Sequence, residues 1–141
     1  AVEDNRHHKV TKALEDVTFI NIAVTGVIAN ITKSFSQSAL GHMMYDGVRT
    51  FFTQEAKDAL HGEIVAVALF TQLYYNKLSE QKEQLKEFMR GMDMPLTLEE
   101  LGVPCTEKNL KTLEDYLIDS PYVDPSPESL ALLHEAMKQM Q

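Results

Sequence analysis

The segment from His61 to Leu78 constrains the fold most. Ile64, Val65, Val67, Ala68, Leu69, Phe70 and Leu73 leave almost no polar face, and a helix that is apolar nearly all the way round has to be buried among other helices. From Thr11 to Ile31, apolar residues at Leu14, Val17, Ile20, Val24, Val27, Ile28 and Ile31 predict a long core helix with one apolar face. The β-branched content there also suits a strand, but strict alternation is absent and the run is too long for one. Ala39 to Phe52 predicts a shorter helix carrying Leu40, Met43, Met44, Val48, Phe51 and Phe52, with Gly41 and Gly47 marking close backbone approach. Thr53 to Ala59 is charged and reads as a surface loop or frayed turn.

The second half is punctuated by turn chemistry. Ser79 is the expected N-cap of a helix with Glu80 and Glu83 in its first turn and Leu85, Phe88, Met89 and Met92 on its buried side. Thr97-Leu98-Glu99-Glu100 has the form of a capping box, with Gly102 and Pro104 stopping a short helix. Glu107 to Ile118 predicts a helix with Leu110, Leu113, Leu117 and Ile118 inward. Ser126-Pro127-Glu128 opens another through Leu130, Leu133, Met137 and Met140, after a proline-containing loop at Asp119 to Pro125. The expected fold is all-α, a helical bundle of about six or seven helices, in a single domain over residues 1–141.

Composition narrows the function classes. A chain of 141 residues with 44% hydrophobic positions supports one compact core. With 13 Lys+Arg against 21 Asp+Glu, a formal charge of −8 makes it a poor binder of phosphate backbones, so nucleic acid is not an expected partner. The single cysteine, Cys105, cannot form an internal disulfide, which points to a reducing, cytoplasmic setting. The uncharged run Ile64 to Asn76 is shorter than the roughly 20 residues of a membrane span, and Ala1 to Asp4 is no secretory n-region. No membrane association is expected. Because the chain begins at Ala1 rather than Met, it reads as a processed product or as part of a longer protein.

Five histidines are the candidates for chemistry. His7 and His8 lie in a polar stretch and His134 among polar helix positions, so all three read as solvated. His42 and His61 sit in otherwise apolar segments, where an unpaired imidazole leaves a buried polar group unsatisfied. Either they are core histidines bonded to backbone carbonyls, or they point from two neighbouring helices at one divalent metal, Zn²⁺ or Fe²⁺. A catalytic site of that kind normally has a third protein ligand, often a carboxylate. Asp46 and Glu63 are the nearest acids; Asp46 reads as a group orienting a ring nitrogen, Glu63 as a helix cap. Phe35, Phe51 and Phe52 flank the His42 helix as pocket wall or core. Met43, Met44, Met89, Met92 and Met94 read as adaptable core filler. Cys105, at the start of a helix, could have its thiol pKa lowered by the helix N-terminus, but with no base partner it reads as structural.

HGEIVAVALFTQL, His61 to Leu73, closely resembles the His-Gly-Glu motif and following apolar helix of the glycerol dehydrogenase branch of the iron-containing alcohol dehydrogenase superfamily. GHMMYDG, Gly41 to Gly47, resembles that family's preceding metal helix. TKALEDV, Thr11 to Val17, resembles the helix before it, and MPLTLEELGV, Met94 to Val103, a C-terminal element. Together they span nearly the whole chain in the family's order.

The resemblance implies a two-domain, homo-oligomeric enzyme that oxidises polyols or alcohols with NAD(P) at a divalent metal. By position His42 and His61 match the family's two metal histidines. The third ligand, an Asp, and the glycine-rich cofactor cradle would lie upstream, so this chain resembles the helical C-terminal part, expected to show no dehydrogenase turnover alone. Tyr45 and Asp46 stand where glycerol dehydrogenases often carry His-Asn, Ile64 replaces a usual Lys, and Ser36-Gln37-Ser38 replaces a glycine-rich turn. Tyr45, Asp46 and Phe35 are therefore candidate pocket or ligand-orienting residues, and substrates other than glycerol (another diol, an aldehyde, a 2-oxo acid) stay open. The alternatives are a helical scaffold or interaction module, a paralogue without metal, or a member akin to dehydroquinate synthases and glycerol-1-phosphate dehydrogenases, whose polar phosphate anchors are not evident here.

Overall fold

The structure, a computed structural model, describes residues 1–31 and 39–141, with backbone alone at 29 and 30. The described residues are helices joined by turns, with no strand among them. They divide into two compact units, Ala1–Ser38 and Ala39–Gln141.

In the first unit, α1 (Val2–Arg6) precedes α2 (Lys12–Phe19), which runs through a π turn at Ile20–Val24 into α3 (Thr25–Ile31). Thr11 caps α2, its hydroxyl accepting from the Leu14 N–H at 3.3 Å. At the π turn the Thr25 N–H and hydroxyl both reach the carbonyl of Ile20, the hydroxyl at 2.9 Å. The helix expected over Thr11–Ile31 is thus present, but its expected burial is not. Phe19, Ile22 and Ile31 are 63%, 72% and 75% exposed, and Val17, Ile20, Val24, Val27 and Ile28 are exposed as well. Periodicity fixes which side of a helix is apolar and carries no information on what covers it.

The second unit is built round α5 (His61–Tyr75), with Ile64, Val67, Ala68, Phe70 and Thr71 buried. Its neighbours include α4 (Leu40–Phe51), α8 (Pro127–Met137) and a 3₁₀ turn at Lys138–Met140. Helix α7 (Glu107–Ile118) packs on α4 and α8. Gly47 lets α7 in: a Cβ there would lie 3.0 Å from Tyr116 Cδ1 and 3.2 Å from Leu113 Cδ2. Met44, Met89, Met137 and Met140 are buried, and Met43 and Met94 pack against the same core.

Helix ends explain most departures from the sequence reading. Helix α5 closes in a Schellman motif, with Leu78 N–H donating to Leu73 O at 2.8 Å and Lys77 N–H to Tyr74 O at 2.9 Å. The chain then passes directly into a 3₁₀ turn at Ser79–Gln81, so Ser79 begins that turn and Gln81 occupies the N-cap position of α6 (Lys82–Arg90). On α6, Met89 is buried and Leu85 partly so, whereas Phe88 is 56% exposed, against expectation. Thr97–Gly102 forms consecutive turns rather than a short helix. The Thr97 hydroxyl accepts from Glu100 N–H at 3.2 Å, but the Glu100 carboxylate accepts from Leu96 N–H at 2.5 Å, one residue earlier than a capping box requires. Helix α7 matches the reading, with Thr106 as its cap; α8 opens as expected with Ser126 as cap and Pro127 in the first turn, but ends at Met137, where the 3₁₀ turn Lys138–Met140 takes over. Among the described residues no helix is long and apolar enough to cross a membrane.

Candidate functional site

Helices α4 and α5 bring His42 and His61 together. The N-cap residue of α4, Ala39, makes no side-chain capping hydrogen bond; instead Gln72 of α5 reaches across, its Oε1 accepting from Gly41 N–H at 3.0 Å. Gly41 permits that approach, since a Cβ there would stand 3.4 Å from Gln72 Oε1 and 3.6 Å from Val65 O. Helix α5 starts at His61, and Glu63 reaches back to accept from the Leu60 N–H at 2.7 Å. Glu63 thus serves as the expected cap at the positive end of the helix.

The two imidazoles have ring centroids 5.7 Å apart and planes tilted by 51°. Both side chains are exposed, so neither is a core histidine. A ligating nitrogen sits about 2.0–2.1 Å from Zn²⁺ and a ring centroid about 1 Å further, so two imidazoles on one tetrahedral ion have centroids about 5–6 Å apart. The observed separation fits a shared ion. Tyr45 packs edge-on against His61, with centroids 4.2 Å apart and planes at 60°. The Arg49 guanidinium carbon lies 5.5 Å from the centroid of Tyr45.

The carboxylates do not complete the pair. Asp46 follows one turn after His42 and is exposed, its backbone carbonyl accepting from the Thr50 hydroxyl at 2.7 Å. Among the described residues no three of His, Cys, Asp and Glu converge in a metal-holding group. A shared ion would have two ligands from this chain's described residues. Phe35 and the Ser36-Gln37-Ser38 turn lie outside the described residues. Phe52 is core, and Phe51 is half-exposed with its ring edge-on to Tyr116 at 5.7 Å.

The remaining candidates fall elsewhere. His7 and His8 are exposed in the first unit, with His7 Nδ1 2.9 Å from Glu3 O. His134, read as merely solvated, has Nδ1 3.0 Å from Oε2 of Glu114, which is buried, with Lys111 Nζ 3.6 Å from its other oxygen. That contact had a sequence signal: Glu114 lies four residues after Leu110 and three before Leu117, on the apolar face of α7, and a buried carboxylate needs a partner. The Cys105 thiol is pushed up by burial and by the negative charge of Glu99, opposite to the lowering a helix N-terminus can produce and in keeping with a structural thiol. A hollow of about 750 Å³ beside α5 is bordered by Glu55, Asp58, Glu63, Arg90, Asp93 and Glu100, and neither His42 nor His61 lines it. The chain matches no model of a known protein family, no curated protein and no solved structure.

Proposed function

We propose that this chain is the metal-binding, substrate-side helical portion of an NAD(P)-dependent polyol or alcohol dehydrogenase, of the kind the glycerol dehydrogenase resemblance implies. The observation that carries the reading is the His42–His61 pair, two exposed imidazoles from separate helices with ring centroids 5.7 Å apart. Neutral imidazole nitrogens suit Zn²⁺ or Fe²⁺, and the donor chemistry and spacing both fit. Such an ion, when bound, supplies Lewis-acid polarisation of the substrate oxygen. His42 and His61 would hold it, and the edge contact of Tyr45 restricts rotation of the His61 ring. Exposure of both rings leaves the pair open to a small alcohol from solvent. The third, carboxylate ligand and the NAD(P) site are assigned to residues outside this chain, in a cytoplasmic homo-oligomer.

The alternative is a helical scaffold or interaction module in which His42 and His61, both exposed, are not ligands. Co²⁺ substitution tests the dehydrogenase reading. The visible spectrum of the Co²⁺-loaded chain is expected to change on adding a 1,2-diol, and the change is expected to vanish in the His42→Ala/His61→Ala variant. A Co²⁺ spectrum indifferent to every alcohol, aldehyde and 2-oxo acid tried would overturn it.

A further inference from the structure

We infer that Arg49 is a positioning residue for the histidine pair: stacked on Tyr45 and bonded to the carbonyls of Ala56 and Ala59, its guanidinium sets where His61 stands relative to His42. The inference deepens the proposed metal site and rests on that reading for its purpose, though not for its geometry. His42, Tyr45 and Arg49 follow one another at spacings of three and four on α4, which places them along one face. His61 arrives from a different element. It is delivered by residues 52–60, which contain no helix of their own and make consecutive turns. The position of α5's first residue against α4 therefore depends on what fixes that connection as well as on the packing of the two helices.

Arg49 fixes it directly. Its Nη1 donates to Ala56 O at 2.8 Å and its Nη2 to Ala59 O at 2.5 Å. One planar fork thus holds two carbonyls, three residues apart, in the connection upstream of His61, a task a lysine ammonium performs poorly. Ala56 is fully buried, giving the connection a fixed seat in the core. Gly102, at φ +92°, approaches the same connection so closely that a Cβ there would collide with Glu55 O. The same guanidinium lies over the Tyr45 ring, within reach of a cation–π contact, and Tyr45 in turn meets His61 edge-on. Arg49 thereby acts on His61 by two routes, through the backbone that delivers it and through the ring that packs on it. Groups that orient metal-binding histidines without touching the ion commonly govern affinity.

The test is NMR on the full 141-residue chain with labelled histidine, paired with Zn²⁺ calorimetry. The wild type is expected to show a cross-relaxation peak between the His42 and His61 ring protons and a ring-current shift of His61 from Tyr45. Arg49→Met, which keeps the stem and removes the donors, is expected to lose both and to bind Zn²⁺ about 10- to 100-fold more weakly, with Arg49→Lys recovering only part. An unchanged cross-peak and shift in folded Arg49→Met overturns the inference. Should Arg49→Met fail to fold, Arg49→Lys keeps a charge near Tyr45 but not the planar fork on Ala56 O and Ala59 O, and is expected to weaken the cross-peak; a cross-peak of unaltered strength there overturns the inference equally. A cross-peak that depends on Arg49 in a chain that binds no Zn²⁺ supports the positioning role while removing the metal reading, so the two fail separately.

Discussion

His8, Lys77 and Asp93 carry side chains yet adopt φ values of 54°, 59° and 55°. All three end a helix in the same way, as does Gly102 at a turn. Lys9 N–H reaches Asp4 O at 2.8 Å, Leu78 N–H reaches Leu73 O at 2.8 Å, Met94 N–H reaches Met89 O at 3.1 Å and Val103 N–H reaches Leu98 O at 2.9 Å. Each is the long bond of a Schellman motif, whose left-handed position favours glycine. Lys77→Gly is therefore expected to raise stability by about 1 kcal/mol, the relief of left-handed strain partly offset by glycine's freedom in the unfolded chain. A fall in the urea midpoint would contradict this. Only Gly102 was legible as such a stop, because Lys, His and Asp do not announce a left-handed residue. Cys105, which reads as structural, lies just before α7, and burial and the negative charge of Glu99 push its thiol up. Its modification by a neutral disulfide reagent at neutral pH is expected to be slower than that of a free cysteine in peptide; faster modification would show the thiolate to be stabilised.

At the scale of elements, caps tie loops to helices. The Asp124 carboxylate accepts from the Ser126 N–H at 2.8 Å, and Ser126 caps α8 by accepting from the Ser129 N–H at 3.4 Å. The side-chain and backbone hydrogen bonds of Ser126 hold the Asp124 carboxyl below its ordinary value of 3.8. A depressed carboxyl contributes stability above the unfolded value and loses it as pH falls through the folded one. Asp124→Ala is expected to be less stable than wild type at neutral pH, with the difference shrinking in acid below the folded value; a difference of constant size across that range would contradict the assignment. The bounds of α7 were legible, as was the start of α8 through Ser126 and Pro127, but not its end, where the chain tightens into the 3₁₀ turn at Lys138–Met140. Helix α4 was legible as a helix, but its cap was not, because Gln72 comes from 31 residues away. The opening of α5 was legible through Glu63, whose bond to Leu60 is local.

For the whole molecule, the all-helical class was written in the periods of three and four, and the burial of α5 in its nearly complete apolar circumference. What covers each face was not, as the exposed Ile22 and Ile31 on the Lys12–Ile31 run demonstrate. The same limit applied to the candidate site. That His42 and His61 belong together was readable, but the sequence placed them among apolar neighbours and the structure leaves both rings exposed. Arg49 was not readable at all, since its role depends on carbonyls of the connection folding back beside Tyr45. The central claim is that His42 and His61 hold one divalent ion between them, and calorimetric titration of Zn²⁺ into the chain and its His42→Ala/His61→Ala variant tests it most directly. Saturable binding of one ion that disappears in the variant is the predicted result; heat unaltered by the double substitution, or no binding by either protein at millimolar Zn²⁺, would contradict it.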